Sequence, residues 1–178
     1  MTMIEQVYEM LRQTPRAIEA LIAGATEEAL MFRDAPGAWN CVEVLSHLAD
    51  GEITDWMPRI KKIRSGGGRF TPFDREGGFL RYKGWTAIAL VGEFAQLRRS
   101  NLDALDELCL TSADLGKTGE HPEFGRVTLR QLLACWATHD LAHAAQISRL
   151  LTRAFGREVG PWAEYFSLLK DWQAPTSA

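Results

Sequence analysis

The chain has 178 residues, 46% of them hydrophobic, and a formal net charge of −3. That length suits one packed domain over residues 1–178, and the composition excludes a disordered chain. The mild acidity argues against a nucleic-acid partner, which would call for a basic face, and no run of about 18 apolar residues is present to span a membrane.

The first helix is expected from Thr2 to about Gly24, with Ile4, Val7, Leu11, Ile18 and Ile22 at helical spacing and an interruption at Pro15. Residues 25–39 read as a connector broken by the "DAPGAW" stretch. Asn40 then caps a second helix, and Glu43 three residues on completes a capping box. Val44, Leu45, Leu48, Ile53, Trp56, Ile60 and Ile63 give that helix its apolar face, Pro58 should bend it, and "SGGG" at 65–68 ends it. Residues 66–84 carry six glycines and no clear period, so they are expected to form a long loop of the kind that serves as a lid or binding loop. A third helix should span Thr86 to Cys109. The segment 116–127 is turn-rich, with ends able to pair as a small hairpin. Thr128 and Gln131 form a second capping box that opens a helix reaching about Phe155, where Gly156 stops it. Pro161 starts a short last helix over 161–171, and the tail "QAPTSA" should fray. The fold class expected is all-α, a four-helix bundle with a short extra C-terminal helix.

Two basic clusters, "RIKKIR" at 59–64 and "LRRS" at 97–100, read as solvated helix faces. Cys41, Cys109 and Cys135 lie far apart with no CxxC spacing, and "MTMIEQVYEM" lacks the pattern of a secretory signal. Free, mostly buried thiols in a reducing cytoplasm are the expectation.

The fourth helix contains "ATHDLAHAAQI", with His139 and His143 four apart among apolar residues. Residues so spaced lie one above the other, with Cβ atoms about 6 Å apart, so both rings can grip one ion. Two core histidines with ordinary hydrogen-bond partners are the plainer alternative. His47, in "VLSHLADGE", lies near the apolar side of its own helix. Bundles build metal sites from facing helices, and three neutral imidazoles with an open position make a catalytic divalent site. His121 precedes Pro122 in the turn-rich segment and reads as an exposed loop residue without a site role.

Two rival chemistries fit less well. "HDLAH" resembles the HExxH of zinc peptidases, but Asp140 is one methylene shorter than the required Glu, and Glu158 or Glu164 would have to be the third ligand. A di-iron carboxylate site needs Glu-x-x-His pairs, and Glu43 precedes His47 by four. Cys135 shares the stripe of His139 and His143, either as a thiolate ligand or as a small buried hydrophobe. Asp50, Glu43, Trp136 and Gln146 are candidates to line a pocket or orient a ligand ring.

"TPRAIEALIAG", "AWNCVEVLSHLADGE" and "GEHPEFGRVTLRQLLACWATHDLAHAAQISRLL" together resemble the DinB-like (DinB/YfiT) family over about residues 2–155. The resemblance implies a four-helix bundle with a three-histidine divalent site, His47 contributed by the second helix and His139 and His143 by the fourth. It also implies nickel, zinc or a similar ion, a small-molecule substrate, a frequent homodimer and, in some members, a low-molecular-weight thiol cosubstrate. A metal-dependent transferase or hydrolase is the functional expectation. The alternative is a non-catalytic metal- or ligand-binding bundle or dimerisation protein, whose closed site would draw a fourth ligand from Cys135, Asp50 or Glu43.

Overall fold

A computed structural model describes residues 1–170 and Trp172. Four long rods form the bundle: α1 (Met3–Ile22), α3 (Cys41–Thr54) continued by α4 (Trp56–Arg64), α6 (Ala87–Glu107) and α7 (Leu129–Ala154). Two short helices, α2 (Glu27–Met31) and α5 (Gly77–Arg81), lie in the connections, and a third, α8 (Ser167–Lys170), follows the last rod. A hairpin of β1 (Thr118–His121) and β2 (Gly125–Thr128) pairs Thr118 with Thr128 and His121 with Gly125. No described helix is long and apolar enough to cross a membrane.

The helix starts follow from local chemistry. Thr2 with Glu5, Asn40 with Glu43, and Thr128 with Gln131 form reciprocal capping boxes, and Thr86 caps α6. α6 ends at Glu107, two residues short of the expected stop, because Cys109 takes a left-handed φ of 46°. In the rod of α3 and α4 the break falls at Asp55 rather than at Pro58. Proline has no N–H for the carbonyl four residues back, so the ladder fails one turn ahead of it. Pro15, by contrast, sits inside an unbroken α1. The Leu11 carbonyl that it cannot bond receives the guanidinium of Arg98 instead, at 2.8 Å.

α1 and α3 each pack against both α6 and α7, which places α1 across the bundle from α3. The apolar core divides into two clusters along the axis. One gathers Leu11, Ile60, Leu102, Leu133 and Trp136; the other gathers Ile18, Leu45, Leu48, Phe94 and Ile147. Between them lies a buried polar layer with one residue from each rod: Thr14, Glu52, Arg98 and Asp140. Arg98, in the "LRRS" cluster expected to face solvent, is only 1% exposed. Its position four residues from both Phe94 and Leu102 puts it on the core stripe of α6, where two carboxylates compensate its charge. In the other basic cluster, Lys61 and Lys62 are solvated as expected, while Arg59 and Arg64 pair with Asp55 and Asp114.

The connections hold more structure than their composition suggests. Thr26 caps α2 inside the 25–39 segment. Within 66–84, α5 lies against α3 so closely that a Cβ on Gly78 would collide with the Ser46 carbonyl. Phe70 is buried with its ring over Gly119, where a Cβ would likewise find no room, so the loop and the hairpin are locked together. The short last helix begins as a 3-10 turn, Gly160–Tyr165, and continues as α8; Asp171 and the 173–178 tail lie outside the described residues. Cys41 is buried, but Cys109 and Cys135 are exposed, contrary to the expectation of mostly buried thiols.

Candidate metal centre

α3 supplies His47 and α7 supplies His139 and His143. One nitrogen of each ring lies within 4.8 Å of the other two. Among the described residues no thiol or carboxylate belongs to this group. The HDLAH peptidase arrangement is not formed: Asp140 is fully buried toward Arg98, and Glu158 and Glu164 are exposed near the C-terminal end.

Hydrogen bonding fixes which nitrogens face inward. His47 Nδ1 stands 3.0 Å from the Arg75 carbonyl oxygen, which can only accept, so Nδ1 holds the proton and Nε2 a lone pair. His143 Nδ1 likewise donates to Gln146 Oε1 at 2.8 Å. Burial is the largest influence on both rings and pushes each down to about 4, so both are neutral near pH 7, as ligation demands. His47 Nε2 and His139 Nε2 approach to 2.9 Å. Two lone pairs at that separation repel unless a proton or cation lies between them. His139 Nδ1, on the other side of its ring, is buried without a hydrogen-bond partner among the described residues. A cation shared by the three Nε2 atoms resolves the close contact, so the residues present fit a divalent ion.

Aromatic rings fix this cluster in place. Trp39 lies 5.0 Å from His47 between ring centroids, Phe73 5.3 Å from His47, and Trp56 5.1 Å from His139. Above the histidines opens a cleft of about 440 Å³, walled by Trp39, Trp56 and Phe73 and lined also by Asp55, Arg59 and Cys135. Asp55 pairs with Arg59 at 2.6 Å, yet burial outweighs that pairing and raises its pKa.

The sequence candidates divide. His47, His139, His143 and Gln146 converge on the cleft, and Cys135 opens onto it rather than filling the core. Burial around its sulfur raises its pKa, which favours the thiol form. Glu43 is turned away: it caps α3 and binds Arg33 through both oxygens, at 2.5 and 2.6 Å. Asp50 faces α5, where Arg81 Nε donates to it at 2.6 Å. Trp136 is fully buried behind Trp56 and donates to Glu52 at 3.0 Å. His121 is no bare loop residue. It ends β1, stacks on Phe124 at 4.6 Å and lines the cleft, because the hairpin folds over that end of α7. Trp39, Trp56, Phe73 and Arg59 had no separate signal in the chain. The nearest was Trp39 standing directly before the Asn40 cap.

The DinB superfamily model matches residues 10–147. A protein of Oceanobacillus iheyensis named "putative metal-dependent hydrolase" is 23% identical over 149 residues, covering 80% of this chain and 83% of its own. Among solved structures, YfiT from Bacillus subtilis superposes with a TM-score of 0.74 at 19% identity, over 84% of this chain and 86% of YfiT. It is described as a "probable metal-dependent hydrolase with an unusual four-helix bundle topology". With the fold shared and most of its length matched, the chain belongs to the DinB superfamily.

Proposed function

We propose that this protein is a metal-dependent hydrolase that binds one divalent ion, zinc or nickel, on the Nε2 atoms of His47, His139 and His143. One observation carries the reading: three inward-facing imidazole nitrogens within 4.8 Å of one another at the floor of an open cleft, with no fourth side chain in the group among the described residues. Three protein ligands with room beside them characterise catalytic sites, whereas structural zinc is closed by four. Imidazole suits ions of the zinc and nickel type. When bound, such an ion supplies Lewis acidity and brings the pKa of water from about 15.7 to about 7.

The chain's own residues shape what enters. Arg75 and Gln146 orient two of the rings through their Nδ1 protons. The walls of Trp39, Trp56 and Phe73 favour a small substrate with apolar surface. Hydrolysis is preferred to thiol transfer because the names of both relatives invoke it. The test is a panel of ester, amide and lactone substrates assayed with metal-loaded, chelator-stripped and zinc- or nickel-restored protein. Activity lost on stripping and regained on restoration is expected. Hydrolysis indifferent to chelation, or turnover only with an added thiol, contradicts the assignment.

A further inference from the structure

Three rings form the candidate metal centre, and two have a partner on the outer nitrogen. His47 donates to the Arg75 carbonyl and His143 to Gln146. His139 Nδ1 has none and is buried. Metal-ligating histidines almost always give this proton to a carboxylate or carbonyl.

Counting lone pairs in the buried layer leaves one unfilled acceptor site near that nitrogen. A carboxylate offers about four acceptor sites. Those of Glu52 are filled: Arg98 Nε and Asn101 Nδ2 donate to Oε2 at 2.9 and 3.1 Å, and Arg98 Nη2 and Trp136 Nε1 donate to Oε1 at 2.8 and 3.0 Å. Asp140 receives three donors: Thr14 Oγ1 at 2.5 Å and Arg98 Nη1 at 2.6 Å on Oδ2, and Arg98 Nη2 at 3.1 Å on Oδ1. One site on Oδ1 is left, and it stands 3.9 Å from His139 Nδ1. Arg98 in turn has no freedom to leave. Its five N–H groups are committed to Glu52, Asp140, Thr14 and the Leu11 carbonyl exposed by Pro15. The layer also carries two carboxylates against one guanidinium, a surplus negative charge beside the histidine cluster.

We propose that Asp140 is a positioning residue for His139, its remaining Oδ1 lone pair accepting the Nδ1 proton, with Arg98 locking the carboxylate in place from all four rods. The inference rests on the three-histidine metal reading and concerns how the site holds its ion. Asp140→Asn and Glu52→Gln each remove one negative charge from the same network, but only Asp140 faces a histidine. Zn²⁺ affinity, measured by chelator competition, should fall about 10- to 100-fold in D140N and stay within about threefold in E52Q. Equal losses in the two variants, or an unchanged D140N, overturn the proposal.

Because D140N could fail to fold, ¹⁵N spectra of the unmodified Zn²⁺-loaded chain provide a second readout. The His139 Nδ1 proton should be visible and slow to exchange. An Nδ1 proton exchanging as fast as that of an exposed histidine overturns the proposal. A parent chain that binds no Zn²⁺ at all overturns the metal centre itself and the positioning role with it, whereas equal losses in variants of a zinc-binding parent overturn the positioning role alone.

Discussion

His139 and Asp140 are neighbours in the chain and belong to opposite regimes. His139 faces an open cleft, half-buried, with a nitrogen to offer. Asp140 is sealed in the bundle centre, held by groups from α1 and α6. The cleft cluster is built for what arrives from outside, and the layer beneath it serves the four rods. The difference shows that one helix can carry a candidate ligand on one face and a buried ion pair on the next, with about 100° of rotation between them.

Stability measurements can break this division. Arg98→Met fits the cavity roughly but leaves Glu52 and Asp140 buried without their cation, so a loss of about 3–5 kcal/mol is expected in chemical denaturation. A loss below about 1 kcal/mol would show that the layer does not hold the rods together. His143→Ala removes a half-exposed ring from the cleft. Compared with the metal-free parent, its unfolding free energy should change by no more than about 1 kcal/mol, although its bound metal is lost. A collapse as large as that of R98M would erase the contrast between cleft and layer.

The smallest effect sharpens the boundary of the site. Burial tends to raise the Glu43 pKa, but the bonds from Arg33 and the Asn40 N–H lower it further, for a net depression. A depressed folded pKa means that the stabilisation is present above the ordinary value of 4.5 and is lost as pH falls through the folded value. Glu43→Gln should therefore cost about 0.5–1 kcal/mol at pH 7. The gap between variant and parent should close below pH 4.5, with metal content unchanged throughout. A loss of metal in E43Q would return Glu43 to the site.

What the sequence made legible was periodic or local. The i, i+4 spacing of His139 and His143, the apolar stripes of the long rods and the capping boxes at Asn40 and Thr128 are written within one or two turns, and the structure forms them. His47 was a candidate from its place near the apolar side of its own helix, and the likeness to DinB-like chains joined it to the pair, 92 residues from His139. Arg98 was misread because its cluster was judged by charge rather than by position. Its place on the stripe with Phe94 and Leu102, like that of Glu52 four residues after Leu48, marked a buried charge awaiting partners. The cleft rim was illegible for another reason. His121 reaches the site through hairpin pairing, and the Arg75 carbonyl through the close seating of Gly78 on α3, contacts between segments far apart in the chain.

In the proposed centre, imidazoles from two rods share one ion. Anomalous scattering from crystals of protein expressed with zinc and nickel supplied tests it directly. A single peak per chain is expected, bonded to Nε2 of His47, His139 and His143 and to no other side chain. Crystals without that peak, or with a fourth protein ligand closing the coordination sphere, would contradict it.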